Sequence, residues 1–253
     1  MKITFLGTGT SQGVPVIGCE CEVCRSLDYR DKRLRVSVYL EIGGTSLVID
    51  TGPDFRQQML RERISTLDAV LLTHSHKDHI AGLDDVRAFN FLQERSMPIY
   101  GTAKTLDQVK KEFYYAFETQ KYPGTPILNL LELNEGEFEI NGIKILPLPV
   151  QHLLMPVLGF RIGDFSYITD ANLIPDETIE KLKGTKVLVL NALQKEKHIS
   201  HFNLQEAIVQ AARIGAEQTY FTHISHKMGL HQVVNKELPE SIALAHDGLT
   251  VTL

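Results

Sequence analysis

One histidine-rich segment constrains this chain more than any other feature. The segment HSHKDH, residues 74–79, directly follows the apolar run DAVLLT, which predicts a buried strand. From the composition, an H-x-H-x-D-H pattern is expected by chance in only about one such chain in a thousand. Because alternate residues of an extended chain point the same way, His74 and His76 can bind one ion from one side. Asp78 and His79 lie where the chain turns, so they can face a second ion.

Further ligands must come from elsewhere in the chain, because four side chains cannot fill the shells of two ions. Imidazole and carboxylate ligands suit Zn, Mn, Fe or Ni. His152, Asp170 and His223 follow the predicted strands ILPLPV, FSYIT and QTYFT, respectively. Proteins built on sheets commonly place their sites in the loops after such strands. We therefore predict that these three side chains complete the metal centre.

Strand and helix patterns recur in both halves of the chain. Short apolar or alternating runs predict strands at residues 1–6, 35–42, 45–50, 68–73, 127–133, 137–140, 143–148, 158–162, 165–169, 186–190, 218–222, 241–245 and 249–253. Helical spacing predicts helices at residues 54–63, 83–93, 105–117, 175–182 and 203–214. Asn203, with Glu206 three residues on, resembles a capping box. The prediction is a single α/β domain, residues 1–253, with two mixed sheets covered by helices.

The bulk composition is that of an ordinary globular protein of 253 residues with a formal net charge of −5. This slight acidity argues against a nucleic-acid partner held by bulk charge. No apolar run approaches the roughly 18 residues needed to cross a bilayer. The first residues, MKITFLGTGT, lack the apolar region of a signal peptide. We expect a cytoplasmic protein with reduced thiols and no membrane partner.

All three cysteines of the chain lie within six residues, as Cys19, Cys21 and Cys24. Three cysteines cannot form a disulfide framework, because an odd count leaves one unpaired. Three thiolates need one more ligand to complete a tetrahedral zinc site. The segment THISH, residues 222–226, offers that ligand: if His223 faces the catalytic metals, His226 can reach the cysteines. Residues 19–24 are therefore interpreted as a zinc knuckle.

The order of these residues resembles the metallo-β-lactamase superfamily, and the likeness covers nearly the whole chain. The resemblance implies an αββα sandwich with a dinuclear metal site. It also implies that one metal is held by His74, His76 and His152, that the other is held by Asp78, His79 and His223, and that Asp170 bridges the two. True β-lactamases usually carry a cysteine near the bridge position, so the aspartate favours hydrolases and phosphodiesterases of the superfamily over antibiotic hydrolysis.

The cysteine knuckle and the THISH segment are similar to those of the PhnP family, the cyclic phosphodiesterases associated with carbon–phosphorus lyase. This likeness implies a structural zinc site formed by Cys19, Cys21, Cys24 and His226. The segment HFNL, residues 201–204, resembles the family's H-x-D/N-L segment, whose histidine is placed to protonate the leaving oxygen. His201 has the better alignment for that role, and the neighbouring His198 remains an alternative acid.

The expected function is a metal-dependent phosphodiesterase that cleaves a small cyclic or diester phosphate, such as a phosphoribosyl cyclic phosphate. Two divalent ions, Zn or Mn, would activate water, and Asp78 would orient that water as well as ligate metal. A ribonuclease Z-like nuclease shares the ligand set but would need an arm that binds RNA. Two further candidates are a thiolester or lactone hydrolase of the glyoxalase II type and a zinc-binding scaffold without catalysis. The knuckle also offers a surface for a homodimer.

Overall fold

A computed structural model describes residues 1–120, 122–133 and 136–253 of the chain. Its first sheet combines strands from the first half of the chain with the final strand. In spatial order these strands are β14 (Thr250–Thr252), β1 (Lys2–Gly7), β2 (Ser37–Ile42), β3 (Thr45–Ile49), β4 (Ala69–Leu71), β5 (Met97–Gly101) and β6 (Leu128–Glu132). Pairing is antiparallel from β14 to β3 and parallel from β3 to β6.

The second sheet is built from the second half of the chain. In spatial order its strands are β13 (Ile242–Leu244), β12 (Gln218–Thr222), β11 (Val187–Asn191), β10 (Phe165–Ile168), β9 (Met155–Ile162), β8 (Ile143–His152) and β7 (Phe138–Ile140). Pairing is parallel from β13 to β10 and antiparallel from β10 to β7. Both sheets are therefore mixed, as predicted.

Helices cover the outer faces of both sheets. They are α1 (Glu22–Arg25), α2 (Phe55–Arg61), α3 (Lys77–Ile80), α4 (Arg87–Gln93), α5 (Ala103–Glu112), α6 (Asp176–Leu182), α7 (Leu204–Ile214) and α8 (His231–Glu237). Apolar residues of α2, α4 and α5 pack on the first sheet, and those of α6, α7 and α8 pack on the second. None of the helices among the described residues combines the length and apolar character needed to cross a membrane.

Alternation along the strands separates an inner core from the two outer layers. Leu47 and Ile49 of β3 lie between the sheets, in one apolar cluster with Phe160 and Tyr167 of the second sheet. Val48, between them in sequence, packs in the outer layer beneath the helices. Burial of each such side chain contributes roughly 1.5–3 kcal/mol. The two-residue period thus produces the layers of the αββα sandwich and confirms the predicted fold class.

Several local predictions need correction. Residues 83–93 form a 3-10 turn, Leu83–Val86, followed by α4, and the helix predicted at 105–117 ends at Glu112 before a second 3-10 turn. The strands predicted at 143–148 and 158–162 extend to meet in one long hairpin, β8–β9. Its turn at Leu153 and Leu154 carries no glycine or asparagine, so no turn was expected there. The elements α1, α3, α8 and β5 were not predicted, because short elements depend on tertiary pairing more than on propensity.

Candidate metal centre

The candidate ligands lie where strands of both sheets end. His74 and His76 follow β4, His152 ends β8, Asp170 follows β10 and His223 follows β12. Parallel strands bring their carboxyl ends to one edge of a sheet, and the packing of the two sheets brings both edges together. The short helix α3 begins at Lys77 and turns Asp78 and His79 toward the same place.

Four of these side chains form a close group around Asp170. His79 Nε2 lies 3.3 Å from Asp78 Oδ2 and 3.3 Å from Asp170 Oδ2. His223 Nε2 lies 3.3 Å from Asp170 Oδ1 and 3.7 Å from Asp78 Oδ2. One ligand atom from each of the four residues lies within 4.8 Å of all the others. This spacing is suitable for shared coordination of one ion.

The remaining histidines lie next to this group. His74 Nε2 is 3.1 Å from His76 Nδ1, and the rings of His76 and His152 are 5.3 Å apart. His152 also forms a second group of ligand atoms with Asp170 and His201. Asp170 therefore belongs to both groups, which is the placement expected of a bridging carboxylate.

Hydrogen bonds outside the cluster orient three of the imidazoles. Asp50 accepts a hydrogen bond from His79 Nδ1 at 2.7 Å, and the backbone carbonyl of Ser200 accepts one from His152 Nδ1 at 2.7 Å. Thr73 donates its hydroxyl to Asp50 and so accepts from His74 Nδ1 at 3.0 Å. In each ring the Nε2 lone pair is left free to bind a metal, which is the usual arrangement of metal-binding histidines.

Sequence reasoning missed Asp50 and Asn191, which support the ligands. Asp50 is fully buried after β3 and accepts hydrogen bonds from Thr73 and His79. Asn191, the last residue of β11, bonds both backbone polar groups of Ala171 and so holds the loop that carries Asp170. Each stands at the carboxyl end of a strand, and this placement alone could have marked both as candidates.

Local backbone geometry also distinguishes the site. Asp50, Asp170 and His223 have positive φ angles of 63°, 54° and 56°. A left-handed conformation is costly for residues with a Cβ and occurs often at functional sites. At Gly52 an added Cβ would lie 2.1 Å from the carbonyl oxygen of Asp78, so only glycine allows this close approach. The chain is thus shaped around the ligands at some conformational cost.

Burial and charge in the cluster fit a bound cation. Among the described residues, His79 Nε2, His201 Nδ1 and both ring nitrogens of His223 are buried without a hydrogen-bond partner. Buried polar atoms are otherwise nearly always paired, so the nitrogens of His79 and His223 suit a metal ion, whereas His201 Nδ1 is left free for another partner. Burial alone would raise the pKa of Asp170, but His223 and His79 hold that pKa well below its usual range. Burial lowers the pKa of His74 well below its usual range, so its ring is a neutral ligand.

His201 and His198 differ in their surroundings. His201 is buried, its ring lies 4.5 Å from that of His152, and its Nδ1 lies 3.9 Å from Asp170 Oδ1. Burial, followed by the charge of His223, lowers the pKa of His201 to about 3. His198 is exposed, and its ring lies 5.2 Å from that of His201. His201 therefore belongs to the cluster, whereas His198 faces solvent beside it.

The cysteine knuckle forms a second, separate cluster. His226 Nδ1 lies 3.2, 3.5 and 3.6 Å from the sulfur atoms of Cys19, Cys21 and Cys24. All four ligand atoms lie within 4.8 Å of one another, which suits a tetrahedral ion. The backbone N–H of Cys24 donates to Cys21 Sγ and lowers the pKa of that thiol to about 6. These side chains fit a Cys₃His zinc site.

Comparison with known proteins places the chain and its fold in a family. The beta-lactamase superfamily domain matches residues 45–224, and the chain belongs to the metallo-β-lactamase superfamily. A solved structure described as a new diphosphatase from the PhnP family is 42% identical, with a TM-score of 0.93. The likeness covers 99% of this chain and 96% of that one. The resemblance to the PhnP family is therefore confirmed, and the neighbours indicate a metal-dependent hydrolase.

Two of the curated relatives differ in name from each other and from the diphosphatase. An octanoyltransferase of Porphyromonas gingivalis is 40% identical over 252 residues, which are 98% of this chain but 51% of that protein. The chain thus spans about half the length of this relative. A ribonuclease Z of Mycobacterium marinum is 28% identical over 88% of this chain and 86% of its own length.

Proposed function

We propose that the protein is a dinuclear, metal-dependent phosphodiesterase that cleaves a small cyclic or diester phosphate. The observation that carries this proposal is the position of Asp170, whose carboxylate groups with Asp78, His79 and His223 and also with His152, a ligand proposed for the other ion. A shared carboxylate suits two ions held side by side. The likeness to a PhnP-family diphosphatase supports chemistry at phosphorus rather than at carbon.

The residues divide between two ions in this proposal. One ion is held by His74, His76 and His152, the other by Asp78, His79 and His223, with Asp170 between them. Bound Zn or Mn would supply Lewis acidity and lower the pKa of water. Asp78 would in addition accept a hydrogen bond from the attacking water and so orient it. The proposed substrate is a small molecule. The three cysteines form no disulfide, which suits the reducing cytoplasm. The cysteine knuckle is a candidate surface for a homodimer.

His201 is the proposed proton donor to the leaving oxygen. With its pKa lowered to about 3 by burial, the ring is neutral at pH 7 and would stabilise the leaving oxygen by donating an N–H hydrogen bond to it. Because a good leaving group needs little help from an acid, His201→Ala should slow esters of poor leaving groups far more than p-nitrophenyl esters. We expect a loss of roughly 10²–10⁴-fold for the former. Equal losses for both would contradict this role, and His198→Ala is the matched control.

A second candidate reaction is hydrolysis of a diphosphate, favoured by the description of the 42% identical structure. One purified, metal-loaded sample should be tested on bis(p-nitrophenyl) phosphate, a cyclic phosphate, a nucleoside diphosphate, a thiolester, a lactone and a precursor tRNA. Metal content should be measured on the same sample. Highest kcat/KM on a small diester supports the proposal. Preference for the thiolester, the lactone or the tRNA would overturn it, and about one ion per chain would indicate a non-catalytic scaffold.

Octanoyl transfer is not proposed for this chain. The transferase name describes a protein about twice the length of the matched region. The residues brought together at the strand ends are the proposed metal ligands, which suit hydrolysis rather than acyl transfer. The name of this longer relative therefore does not indicate which reaction its matched region carries out.

A further inference from the structure

The mouth of the metal centre is apolar on one side. A cavity of about 430 Å³ is lined by the proposed ligands His76 and His152 and by four apolar side chains, Leu153, Leu154, Met155 and Ile199. Leu154 is 92% exposed and Ile199 is 75% exposed, so these aliphatic side chains face solvent at the entrance of the site. We call this cavity the apolar mouth.

The apolar mouth is held in shape by defined contacts. Leu153 lies in the β8–β9 turn with a φ of 56°, an unfavourable conformation for a bulky residue at a position where glycine is common. Asn172 accepts a hydrogen bond from the backbone N–H of Leu153 and donates one to the carbonyl of Ile199. The two loops that carry the leucines and Ile199 are therefore joined, and two exposed leucines occupy a strained turn.

A second cavity, of about 240 Å³, meets the metal centre at His201 and is mostly polar. Its lining also includes Thr10, Gln12, Gln194, His198 and Lys227, and it reaches His226 of the cysteine knuckle. Hydroxyl, amide and ammonium groups of this kind bind hydroxylated or anionic groups by hydrogen bonds. We call this cavity the polar pocket. The proposed proton donor lies in the polar pocket and not in the apolar mouth.

Among the described residues, Lys104 is the one lysine or arginine that lines the apolar mouth. It lies in the first turn of α5 and is exposed. Its ammonium group can hold a phosphoryl oxygen while the aliphatic side chains contact a carbon chain. The mouth therefore suits a phosphate that carries an apolar substituent.

We infer that the substrate is an asymmetric phosphodiester whose apolar arm occupies the apolar mouth and whose polar arm leaves through the polar pocket. This inference rests on the proposed function. Water adds to phosphorus, the bond from phosphorus to the oxygen of the polar arm breaks, and that oxygen takes up a proton. The products are a polar alcohol and a phosphate monoester that keeps the apolar arm.

The first test is a series of alkyl p-nitrophenyl phosphates, from methyl to hexyl, assayed by release of p-nitrophenol. A fully buried methylene is worth about a fourfold gain, and a half-buried one about twofold. The five added methylenes should therefore raise kcat/KM roughly 30-fold if they are half-buried. In the double variant Leu154→Ser/Ile199→Ser this ratio should fall below about threefold.

The matched control is Leu27→Ser, because Leu27 is equally exposed, at 101%, but lies beside the cysteine knuckle. It should leave the chain-length dependence unchanged. Equal values of kcat/KM along the series in the unchanged protein would overturn this inference but not the proposed function. So would an unaltered dependence on chain length in the double variant. Absence of hydrolysis of every ester would overturn the proposed function and the inference with it.

A second test determines which bond breaks. Hexyl glyceryl phosphate should give hexyl phosphate and glycerol, identified by ³¹P NMR and mass spectrometry. Formation of glycerol phosphate and hexanol, or of both product pairs in similar amounts, would contradict the assignment of the two sides.

Discussion

At the scale of single residues, the metal centre depends on side chains that do not themselves reach the ions. Asp50 accepts hydrogen bonds from His79 and Thr73, and Thr73 in turn accepts from His74. One buried carboxylate therefore sets the tautomer of two proposed ligands. Burial alone would lower the pKa of His79, but Asp170 and Asp50 raise it well above its usual range. The same carboxylates that attract a proton to His79 attract a cation to the site.

Asp50→Asn tests this support. An amide cannot accept from His79 and both Thr73 donors with the strength of a carboxylate, so His79 should lose its fixed orientation. We expect a 10- to 100-fold loss of metal affinity, of the order typical for such partners of ligands. Competition with a chromogenic chelator measures this affinity. Asp68→Asn, the same change at a carboxylate that bonds Ser46 and Arg95, is the control. Unchanged affinity in Asp50→Asn would show that Asp50 does not support the site.

At the scale of elements, the short helix α1 and the loop before it form the knuckle. Val14, Val23 and Cys24 make a small apolar cluster of their own, which Leu230 joins. So small a cluster buries little apolar surface. We therefore expect a bound ion, rather than packing, to order this segment.

Cys21→Ser should remove one zinc per chain while the ions of the dinuclear site remain. Loss of this ligand should lower Tm by roughly 5–10 °C, since the binding energy of a structural zinc contributes to folding. Elemental analysis and calorimetry on one sample measure both effects, and the retained ions of the dinuclear site serve as the internal control. If the variant keeps every ion, the Cys₃His assignment is wrong.

A capping box at the start of helix α7 fixes the chain close to His201, the proposed proton donor. Asn203 accepts from the backbone N–H of Glu206 at 2.8 Å, and the Glu206 side chain accepts from the backbone N–H of Asn203 at 3.0 Å. This capping box, predicted from the sequence and confirmed in the structure, has its N-cap two residues after His201, and the helix begins at the next residue.

Asn203→Ala removes one half of the capping box. We expect it to lower the free energy of unfolding by about 1 kcal/mol. Thr102→Ala at the start of α5 is the matched comparison, because Thr102 makes a longer single capping bond of 3.3 Å to Thr105. Equilibrium denaturation should show the larger loss for Asn203→Ala. An equal or smaller loss would mean that the box adds nothing to a simple cap.

At the scale of the whole molecule, a buried arginine joins distant parts of the chain. Arg33 donates to the hydroxyl of Thr8, to the carbonyl of Ala245 and to His231 Nδ1, with the last contact spanning 198 residues of sequence. A guanidinium group has no acceptor, so His231 Nδ1 must be unprotonated in this contact. Burial, followed by the charge of Arg33, lowers the pKa of His231 to about 4.

This depressed pKa predicts a loss of stability in acid. Between pH 6.5 and about 4 the unfolded chain protonates His231 and the native protein does not, so the free energy of unfolding falls as the pH falls. The slope from one group is at most about 1.4 kcal/mol per pH unit. His231→Gln should flatten the dependence in that window, as measured by urea denaturation at several pH values. Lys236→Gln, on the same helix, should not change it, and an unaltered slope in His231→Gln would contradict the assignment.

Much of the fold could be predicted from local patterns, because the strands of a layered sandwich keep a two-residue alternation of side-chain direction wherever they pack. The segments at 218–222 and 45–50 were placed nearly residue for residue. Prediction failed where local preference is weak or misleading. The strand β5 contains Pro98 and exists through its pairing with β4 and β6. The β8–β9 turn is formed by two leucines that local propensity would not place there.

The sequence by itself determined the chemistry of the donor set, because imidazole, carboxylate and thiolate at these spacings have few other uses. It also determined which strand ends would carry them. Only the tertiary structure decided how the donors are oriented, that Asp50 and Asn191 support them, and that one side of the site is apolar while the other is polar. These properties arise from contacts such as His79 with Asp50, 29 residues apart, and the physical reason is that packing, not sequence spacing, sets distances between separate strand ends.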